Sequence, residues 1–340
     1  MAPGVVADGM DDPATAEKGG GTVEGINLLL CENPLPPLPA AVEAVPASNH
    51  YTEPYSAPLK SRIAETIGVH EKHVHINAGS ELILRQLFDR FGRQVHLLTP
   101  TYPLFPAIVE SYTDTRLRPG GDFTFDLLRL SVPDGTSLVV VVNPNNPNGG
   151  TFDVDPLPGL LERHPDTEFL VDEAFVDVAG ESVVELVPEY DNLVVTRTFS
   201  KAHSLAGFRV GYAVASESLA ADLDATNNAY PLARPSQAAA LATLDHRDEI
   251  RQRVRRLRSW AADLAADLES LGVETYPSET YFFLADFAPR DAGAVADALR
   301  ERDVFVRPLN DLELGPGFMR VTTARPAANR RVVDALAAVL

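Results

Sequence analysis

Residues 138–150 read LVVVVNPNNPNGG, in which five apolar residues are followed by a loop of asparagine, proline and glycine. The apolar run has the length of a strand, and the residues after it cannot continue one. Other strand-like runs occur at QVHLLTP, EFLVDEAFVD and NLVVTRTFS, and helical spacing occurs at RIAETIG and ELILRQLFDRF. Strands that are almost continuously apolar are typical of a parallel sheet with helices on both faces. The pattern from residue 50 to about 225 therefore predicts an α/β layered domain.

Changes in composition and pattern along the sequence predict four parts of the chain. Residues 1–24 are small, polar and rich in glycine, which favours a flexible tail. A proline-rich N-terminal arm follows over 25–49, and the large α/β domain covers 50–234. Residues 235–340 begin with one long helical stretch, straight or kinked, and continue with short strands that alternate with helices. This last part predicts a smaller α+β domain.

The composition excludes several classes of protein. Hydrophobic residues make up 45% of the 340, enough for a core, and 48 acidic against 29 basic residues give a net charge of −19. That charge disfavours binding to nucleic acids and to anionic membrane surfaces. No apolar run is long enough for a membrane span, and the start of the chain lacks the features of a signal peptide. We expect a soluble cytoplasmic protein.

Cysteine and lysine are both scarce. The single cysteine, Cys31, excludes a disulfide scaffold and a multi-cysteine metal site, so no metal centre is predicted. Only four of the basic residues are lysines, and the rest are arginines. An acidic chain that uses arginine in place of lysine resembles the proteins of halophilic archaea. The scarcity of lysine also makes Lys201, in TFSKAHSLAGFRVGY, a candidate for chemistry.

Four short segments carry polar residues at places where an α/β sheet binds ligands. They contain Asn146 in the loop quoted above, Asp172 at the end of a strand, Lys201 with Arg209, and a Gly-Ser pair at 79–80 that opens a helix. Each segment has an ordinary structural explanation, namely a tight turn, a helix cap, a solvated cation or a plain helix start. A helix N-terminus is also suited to binding a phosphate.

Taken together, and in this order, the segments resemble one family. NPNNPNG, VDEAF and TFSKAHSLAGFRVGY are similar to the motifs of fold-type I pyridoxal-phosphate enzymes, in the aminotransferase I/II superfamily. The nearest subgroup contains histidinol-phosphate aminotransferase and threonine-phosphate decarboxylase. The resemblance extends from about Glu32 to the C-terminus. It implies a large α/β domain with a mostly parallel seven-stranded sheet and a smaller α+β C-terminal domain.

The resemblance also implies how pyridoxal 5′-phosphate would be held. Lys201 would form the covalent link to the cofactor aldehyde, and Asp172 would keep the pyridine nitrogen protonated. Asn146 would donate a hydrogen bond to the phenolic oxygen of the ring, next to Phe175, and Tyr102 would stack on the ring face. Lys201, Asp172 and Tyr102 would be the catalytic residues, and Asn146 and Phe175 would bind the cofactor.

The phosphate of the cofactor would lie at the start of the Gly-Ser helix. The backbone N–H groups of Ser80 and Glu81 would bind it, with charge-assisted hydrogen bonds from Ser200 and Arg209. In the family a tyrosine of the partner subunit reaches this phosphate, and Tyr51 matches that position. The resemblance therefore implies a homodimer with active sites at its interface.

Three further residues match positions that bind the substrate. Arg320 in FMRVTT corresponds to the arginine that pairs with the α-carboxylate, and Arg307 in VFVRPL to an arginine for a distal phosphate. Asn33 lies in the arm that closes over the substrate in relatives. An alternative for both arginines is an ion pair on the surface of an acidic chain.

The sequence departs from the family pattern at three positions. Phe175 stands where histidinol-phosphate aminotransferases usually have tyrosine, and phenylalanine there is more typical of the decarboxylase branch. Tyr281 stands in place of a family asparagine, and Arg234 lies in a segment that is usually neutral. Arg234 is a candidate for an additional anion contact.

We predict a ping-pong aminotransferase of the histidinol-phosphate type, acting on a small-molecule amino donor and a 2-keto acid acceptor. Phe175 leaves decarboxylation of an amino-acid phosphate as the alternative reaction. A non-catalytic relative that keeps the fold is the third hypothesis, and the intact Lys201 and Asp172 argue against it.

Overall fold

A computed structural model describes residues 25–45, 49–117, 123, 126–312 and 314–340. The predicted N-terminal tail lies outside these residues.

The described chain alternates strands and helices. In chain order the strands are β1 (Ile26–Asn27), β2 (Val74–Asn77), β3 (Val95–Thr99), β4 (Tyr112–Arg116), β5 (Leu138–Val142), β6 (Glu168–Asp172), β7 (Leu193–Thr198), β8 (Gly211–Val214), β9 (Glu274–Thr275), β10 (Phe282–Asp286), β11 (Val304–Phe305), β12 (Arg307–Pro308) and β13 (Phe318–Thr322). The α-helices are α1 (Pro39–Glu43), α2 (Ala57–Ile67), α3 (Ser80–Phe91), α4 (Leu104–Ala107), α5 (Leu157–Arg163), α6 (Glu217–Ala225), α7 (Arg234–Leu244), α8 (Arg247–Ser270), α9 (Ala292–Arg300) and α10 (Pro326–Ala337).

Seven strands form the large sheet in the order β2-β8-β7-β6-β5-β3-β4. The pairs from β4 through β3, β5 and β6 to β7 are parallel, and β8 is antiparallel to both of its neighbours. The predicted mostly parallel seven-stranded sheet is confirmed. Because β5, β6 and β7 run in one direction, Val142, Asp172 and Thr198 end their strands at the same edge.

Both faces of the large sheet are covered. Every residue of β5 is buried, and its side chains alternate between two apolar clusters. Val139 and Val141 belong to the main core, whereas Val140 and Val142 pack in a second cluster that includes Leu87 of α3. This alternation explains why the strand carries no polar residue at either face.

The four-stranded antiparallel sheet β12-β13-β10-β9 forms the second body of the molecule. Helix α8 connects the two bodies, because its Leu257 packs in the main core and its Leu264 in the core of the small sheet. The arm begins in the small body as well, since β1 pairs in parallel with β11, Ile26 opposite Val304.

The long helical stretch predicted after residue 235 is two helices, with a break at Asp245 and His246. Helix α7 packs against α1 and α2, and α8 packs against β9, β10 and α10. The domain boundary at residues 234–235 stays a prediction. Within the described ranges no helix is long and apolar enough to cross a membrane.

Candidate active site

The loop after β5 is folded tightly at the carboxyl edge of the large sheet. Asn145 donates from its side chain to Asn148 Oδ1 at 2.6 Å and to the carbonyl of Pro100 at 3.0 Å. The backbone N–H of Asn143 donates to the Asp172 carbonyl at 3.0 Å. These contacts fix the position of Asn146, which is buried. The asparagines of the loop are structural as well as candidate ligands.

Asp172 ends β6 and is 4% exposed. Its Oδ1 accepts a hydrogen bond of 2.9 Å from the hydroxyl of Thr196, its neighbour in register on β7. Burial raises the pKa of Asp172 to about 6, although the bonds from Thr196 and from the Ala174 N–H oppose the shift. A protonated pyridine nitrogen would offset the cost of burying this carboxylate, so the carboxyl group fits the role expected of it.

Lys201 follows β7 and lies under the arm. Its amine donates to the carbonyls of Leu30 and Cys31 at 2.9 and 3.2 Å, and it lies 5.3 Å from the centre of the Phe175 ring. Burial lowers the pKa of the Lys201 amine, and the positive charges of Arg320 and Arg209 lower it further. A lysine whose proton is easily lost can act as a nucleophile and as a base.

Asn33 holds the arm to the lysine loop. Its side-chain amide donates to the carbonyls of Lys201 and Ala202 at 3.0 and 3.3 Å. Its Oδ1 accepts from the N–H of Leu35 at 3.0 Å. Asn33 is thus placed at the site, where it contacts backbone atoms of the lysine loop.

At the start of α3, two glycines allow a close approach that forms the predicted phosphate cradle. Gly79 has a φ of +91°, and a Cβ added there would overlap the Arg209 guanidinium. A Cβ on Gly211 would overlap the backbone N of Ser80. Glycine at both positions lets the guanidinium and the helix N-terminus come together, which is the arrangement a phosphate requires.

Two other predicted phosphate ligands lie at this cradle. The Ser200 hydroxyl accepts from Thr198 Oγ1 at 2.9 Å and is buried. Glu81 turns its carboxylate to Arg85 at 2.9 Å, so its contribution to the cradle is its backbone N–H. The donors present fit the phosphate of pyridoxal 5′-phosphate.

Arg320 lies on β13 and is 6% exposed. It donates from Nη1 to Asn146 Oδ1 at 3.0 Å and from Nη2 to the carbonyl of Leu29. Its Nε is buried and has no hydrogen-bond partner among the described residues. Arg307 lies directly opposite Arg320 in the β12–β13 pair, on the same face of the small sheet. The unpartnered Nε of Arg320 can donate to an anionic ligand.

Tyr102 is partly buried, and its ring meets Phe105 edge-on at 5.7 Å. Burial raises the pKa of its hydroxyl, and the charges of Glu81 and Asp172 add to that effect. Tyr102 therefore belongs to the same electrostatic environment as Asp172 and Arg320.

Tyr51 contacts other residues in this chain. Its side chain is 81% exposed, its ring lies 4.8 Å from that of Tyr230, and its carbonyl accepts from the Arg234 guanidinium at 3.3 Å. Arg234, the candidate for an additional anion contact, thus donates to the backbone beside Tyr51. A contact of Tyr51 with the cofactor phosphate of a partner subunit stays a prediction.

A buried ion pair, not predicted from the sequence, lies behind the site. Arg197 of β7 donates from Nε to Glu173 at 2.8 Å, and Glu173 also accepts from the Val183 N–H at 2.7 Å and from the Ser182 hydroxyl at 2.9 Å. Glu173 adjoins Asp172, and Arg197 lies four residues before Lys201. The pair links the two chain segments that carry the catalytic candidates. No period or spacing in the sequence indicates this pairing.

A mostly parallel seven-stranded sheet with this lysine, aspartate and phosphate cradle at one edge defines the fold-type I class of pyridoxal-phosphate enzymes. The family model "Aminotransferase class I and II" matches residues 24–336. The chain belongs to that family, and it is a pyridoxal-phosphate-dependent aminotransferase.

Three known proteins illustrate the similarity. Histidinol-phosphate aminotransferase of Acinetobacter baumannii is 34% identical over 321 residues, covering 90% of this chain and 88% of that protein. The crystal structure of histidinol-phosphate aminotransferase from Sinorhizobium meliloti, in complex with pyridoxal-5′-phosphate, has a TM-score of 0.83 at 23% identity and covers 98% of both chains. L-threonine-O-3-phosphate decarboxylase from Porphyromonas gingivalis has a TM-score of 0.80 at 23% identity, covering 92% of this chain and 99% of that one. The two structures establish the likeness of fold.

Proposed function

We propose that the amino donor is an amino acid or amino phosphate with a strongly anionic group, as in histidinol phosphate, and that a 2-keto acid, 2-oxoglutarate, is the acceptor. The observation that carries this proposal is the buried Nε of Arg320, which has no hydrogen-bond partner among the described residues. A buried guanidinium donor left without an acceptor is unfavourable, and an anionic group of the donor would supply that acceptor. Arg307, opposite Arg320 in the β12–β13 pair, adds positive charge on the same face of the small sheet. The similarity to histidinol-phosphate aminotransferases supports the same donor.

When bound, pyridoxal phosphate supplies an electron-withdrawing ring that makes the substrate's Cα proton acidic. Asp172 would hold a proton at the ring nitrogen, because its buried carboxylate has no cation among its hydrogen-bond partners in the described residues. Lys201 Nζ would remove the Cα proton and deliver a proton to the C4′ carbon of the cofactor, the shift that amino transfer requires. The lowered pKa of the amine favours its neutral form, which can accept the Cα proton.

The remaining residues orient the donor and exclude water. Arg320 holds the anionic group through its Nη atoms and its free Nε, and Asn146 fixes the guanidinium plane. Asn33 keeps the arm against the lysine loop, so the amine reacts in a covered site. Transfer to the second keto acid uses the same residues in reverse, as a ping-pong cycle requires.

We also propose a homodimer in which Tyr51 completes the phosphate site of the partner. The exposed rings of Tyr51, Tyr55 and Tyr230 support an interface there. Mixing Tyr51→Ala and Lys201→Ala enzymes tests it by subunit exchange. Recovery of about a quarter of wild-type activity is expected, since half of the exchanged dimers are hybrids and each has one intact site. No recovery after verified exchange would show that Tyr51 does not act across an interface.

The donor is tested on the holoenzyme with histidinol phosphate, threonine phosphate, an aromatic amino acid and aspartate. Each donor is incubated with and without 2-oxoglutarate, and glutamate is measured. Acceptor-dependent transfer that is fastest with histidinol phosphate is expected, and Lys201→Ala should abolish it. Aspartate or an aromatic donor outcompeting both phosphates would contradict the proposed substrate class.

Decarboxylation of an amino-acid phosphate is the second candidate, and Phe175 favours it. Its ring packs 4.9 Å from Phe282 and 5.3 Å from the lysine amine, where it offers no hydroxyl to the cofactor ring. Release of carbon dioxide from threonine phosphate without a keto acid would establish this reaction in place of amino transfer.

A further inference from the structure

Tyr281 connects the small sheet to the N-terminal arm. It is fully buried, immediately before β10, and its hydroxyl donates to the carbonyl of Cys31 at 3.0 Å. The same carbonyl accepts the Lys201 amine at 3.2 Å. One backbone oxygen of the arm thus joins a residue of the small sheet to the catalytic lysine.

The backbone at Cys31 needs such support. Its φ of +49° lies in the left-handed region, which is unfavourable for a residue with a side chain and persists where neighbouring contacts impose it. Its Sγ accepts a weak hydrogen bond from the Thr322 hydroxyl at 3.6 Å. Tyr281 immediately precedes β10 and Thr322 is the last residue of β13, so two neighbouring segments of the small sheet contact Cys31.

The arm so held covers the groups that the substrate must reach. The Leu29 carbonyl accepts a hydrogen bond from Arg320, and the Leu30 carbonyl accepts one from Lys201. Both cations therefore donate to arm backbone before a donor arrives. An anionic substrate has to displace or share these bonds, and the stability of the arm in this position affects how easily it does so.

We propose that Tyr281 is a positioning residue that latches the arm over Lys201 and Arg320 and sets how often the arm opens. The proposal rests on the proposed function only in taking these two residues as the substrate-binding centre. Burial keeps the pKa of the Tyr281 hydroxyl well above its usual range, so the hydroxyl remains a donor throughout the working pH range. Phenylalanine at this position would keep the packing against Phe175 and Phe282 and lose the latch.

Cys31 provides a direct readout, because it is the only cysteine of the chain and is 1% exposed. A thiol reagent can modify it in the holoenzyme only when the arm opens. We expect Tyr281→Phe to raise the modification rate about five-fold, the equivalent of ~1 kcal/mol for one neutral hydrogen bond. In the same variant KM for the amino donor should change more than kcat, because the arm bonds compete with substrate binding.

Tyr276→Phe is the matched control. Tyr276 packs against Phe123 and Phe318, and Phe318 lies at the end of the β10–β13 pair away from Tyr281. This variant should react at the wild-type rate. A rate for Tyr281→Phe equal to the wild-type rate would overturn the proposal.

Low concentrations of urea separate arm opening from unfolding. Local opening exposes little surface, so the faster modification of Tyr281→Phe should depend only weakly on urea. A steep dependence with the slope of global unfolding would also overturn the proposal. The measurement needs no amino donor, so a failure of the proposed substrate assay leaves its result interpretable.

Discussion

Asp172 and Thr196 lie opposite each other on β6 and β7, and the Thr196 hydroxyl donates to the Asp172 carboxylate at 2.9 Å. In the cofactor-free chain this neutral donor stabilises a buried carboxylate that has no cation in hydrogen-bond contact among the described residues. The Asp172 carboxylate, the predicted partner of the pyridine nitrogen, is thus held in place before any ligand binds. The free-energy cost of burying this carboxylate depends on pH.

Asp172→Asn should remove that cost. A pKa raised from 3.8 to about 6 means that the folded state binds the proton more tightly than the unfolded state. The stability from this group is present below pH 4 and is lost as the pH rises through 6, by about 3 kcal/mol in all. We therefore expect the stability of the cofactor-free variant relative to wild type to be about 1–2 kcal/mol greater at pH 8 than at pH 5.

Urea unfolding of both cofactor-free proteins at pH 5 and pH 8 measures the difference. Pyridoxal phosphate should then stabilise the wild type more than the variant, since its ring nitrogen lacks the carboxylate in Asp172→Asn. Equal pH dependence of the two proteins would contradict the raised pKa.

Glu168, at the opposite end of the same strand, gives a pH effect that the cofactor should not alter. It is 8% exposed, its Oε1 has no hydrogen-bond partner among the residues described, and burial raises its pKa to about 8, with Arg90 opposing the shift. Stability from this group is lost between pH 4.5 and 8. We expect Glu168→Gln to increase the free energy of unfolding at pH 9 by about 5 kcal/mol.

The control for Glu168→Gln is Glu301→Gln, which changes the net charge equally at an exposed position. It should change the unfolding free energy at pH 9 by less than about 0.5 kcal/mol. If both variants behave alike, the net charge of the chain and not the buried carboxyl causes the effect.

Gly79→Ala should weaken cofactor binding at the phosphate cradle. The new Cβ would overlap the Arg209 guanidinium, and the φ of +91° is unfavourable for alanine. We expect Kd for pyridoxal phosphate to rise at least about ten-fold, since displacement of one charged donor costs about 1.5–3 kcal/mol. An absorbance titration of the cofactor-free protein measures it.

Two glycines separate the causes of that effect. Gly272 already has a positive φ, and a Cβ added there meets no other atom, so Gly272→Ala tests backbone strain alone. Gly207→Ala adds a Cβ in open space at a position without a positive φ. Gly272→Ala should lower stability and leave Kd unchanged, and Gly207→Ala should leave both nearly unchanged. An unaltered Kd in Gly79→Ala would be incompatible with the cradle.

Arg197→Met should destabilise the protein strongly. It leaves Glu173 buried without its cation, and breaking a buried pair in this way costs about 3–5 kcal/mol. Arg300→Met, which breaks an exposed pair with Asp297, should cost under about 1 kcal/mol. Urea unfolding of the two variants compares them, and equal losses would show that the Arg197 pair contributes no more than a surface contact.

The sequence predicted the parts of the fold that depend on local pattern. The strands β5, β6 and β7 each contain at least three consecutive apolar residues, and such runs indicate a covered parallel sheet. The position of Asp172 at the end of such a strand also placed it at the ligand-binding edge.

Features that depend on contacts between distant segments could not be predicted. The bond between Thr196 and Asp172 depends on strand register, and that between Tyr281 and Cys31 joins residues 250 positions apart. The two-residue strands β1 and β11 are too short to show a period. The roles assigned to Tyr102, Asn33 and Tyr51 stay predictions.

The parallel pairing of β1 with β11 bears on how the gene can be shortened for expression. Ile26 and Leu28 donate their N–H groups to Asp303 and Phe305, and both side chains belong to the small core. A clone starting at residue 25 keeps this pairing. A clone starting after Leu28 would leave the β11 edge bare and apolar surface uncovered, which favours inclusion bodies over native protein.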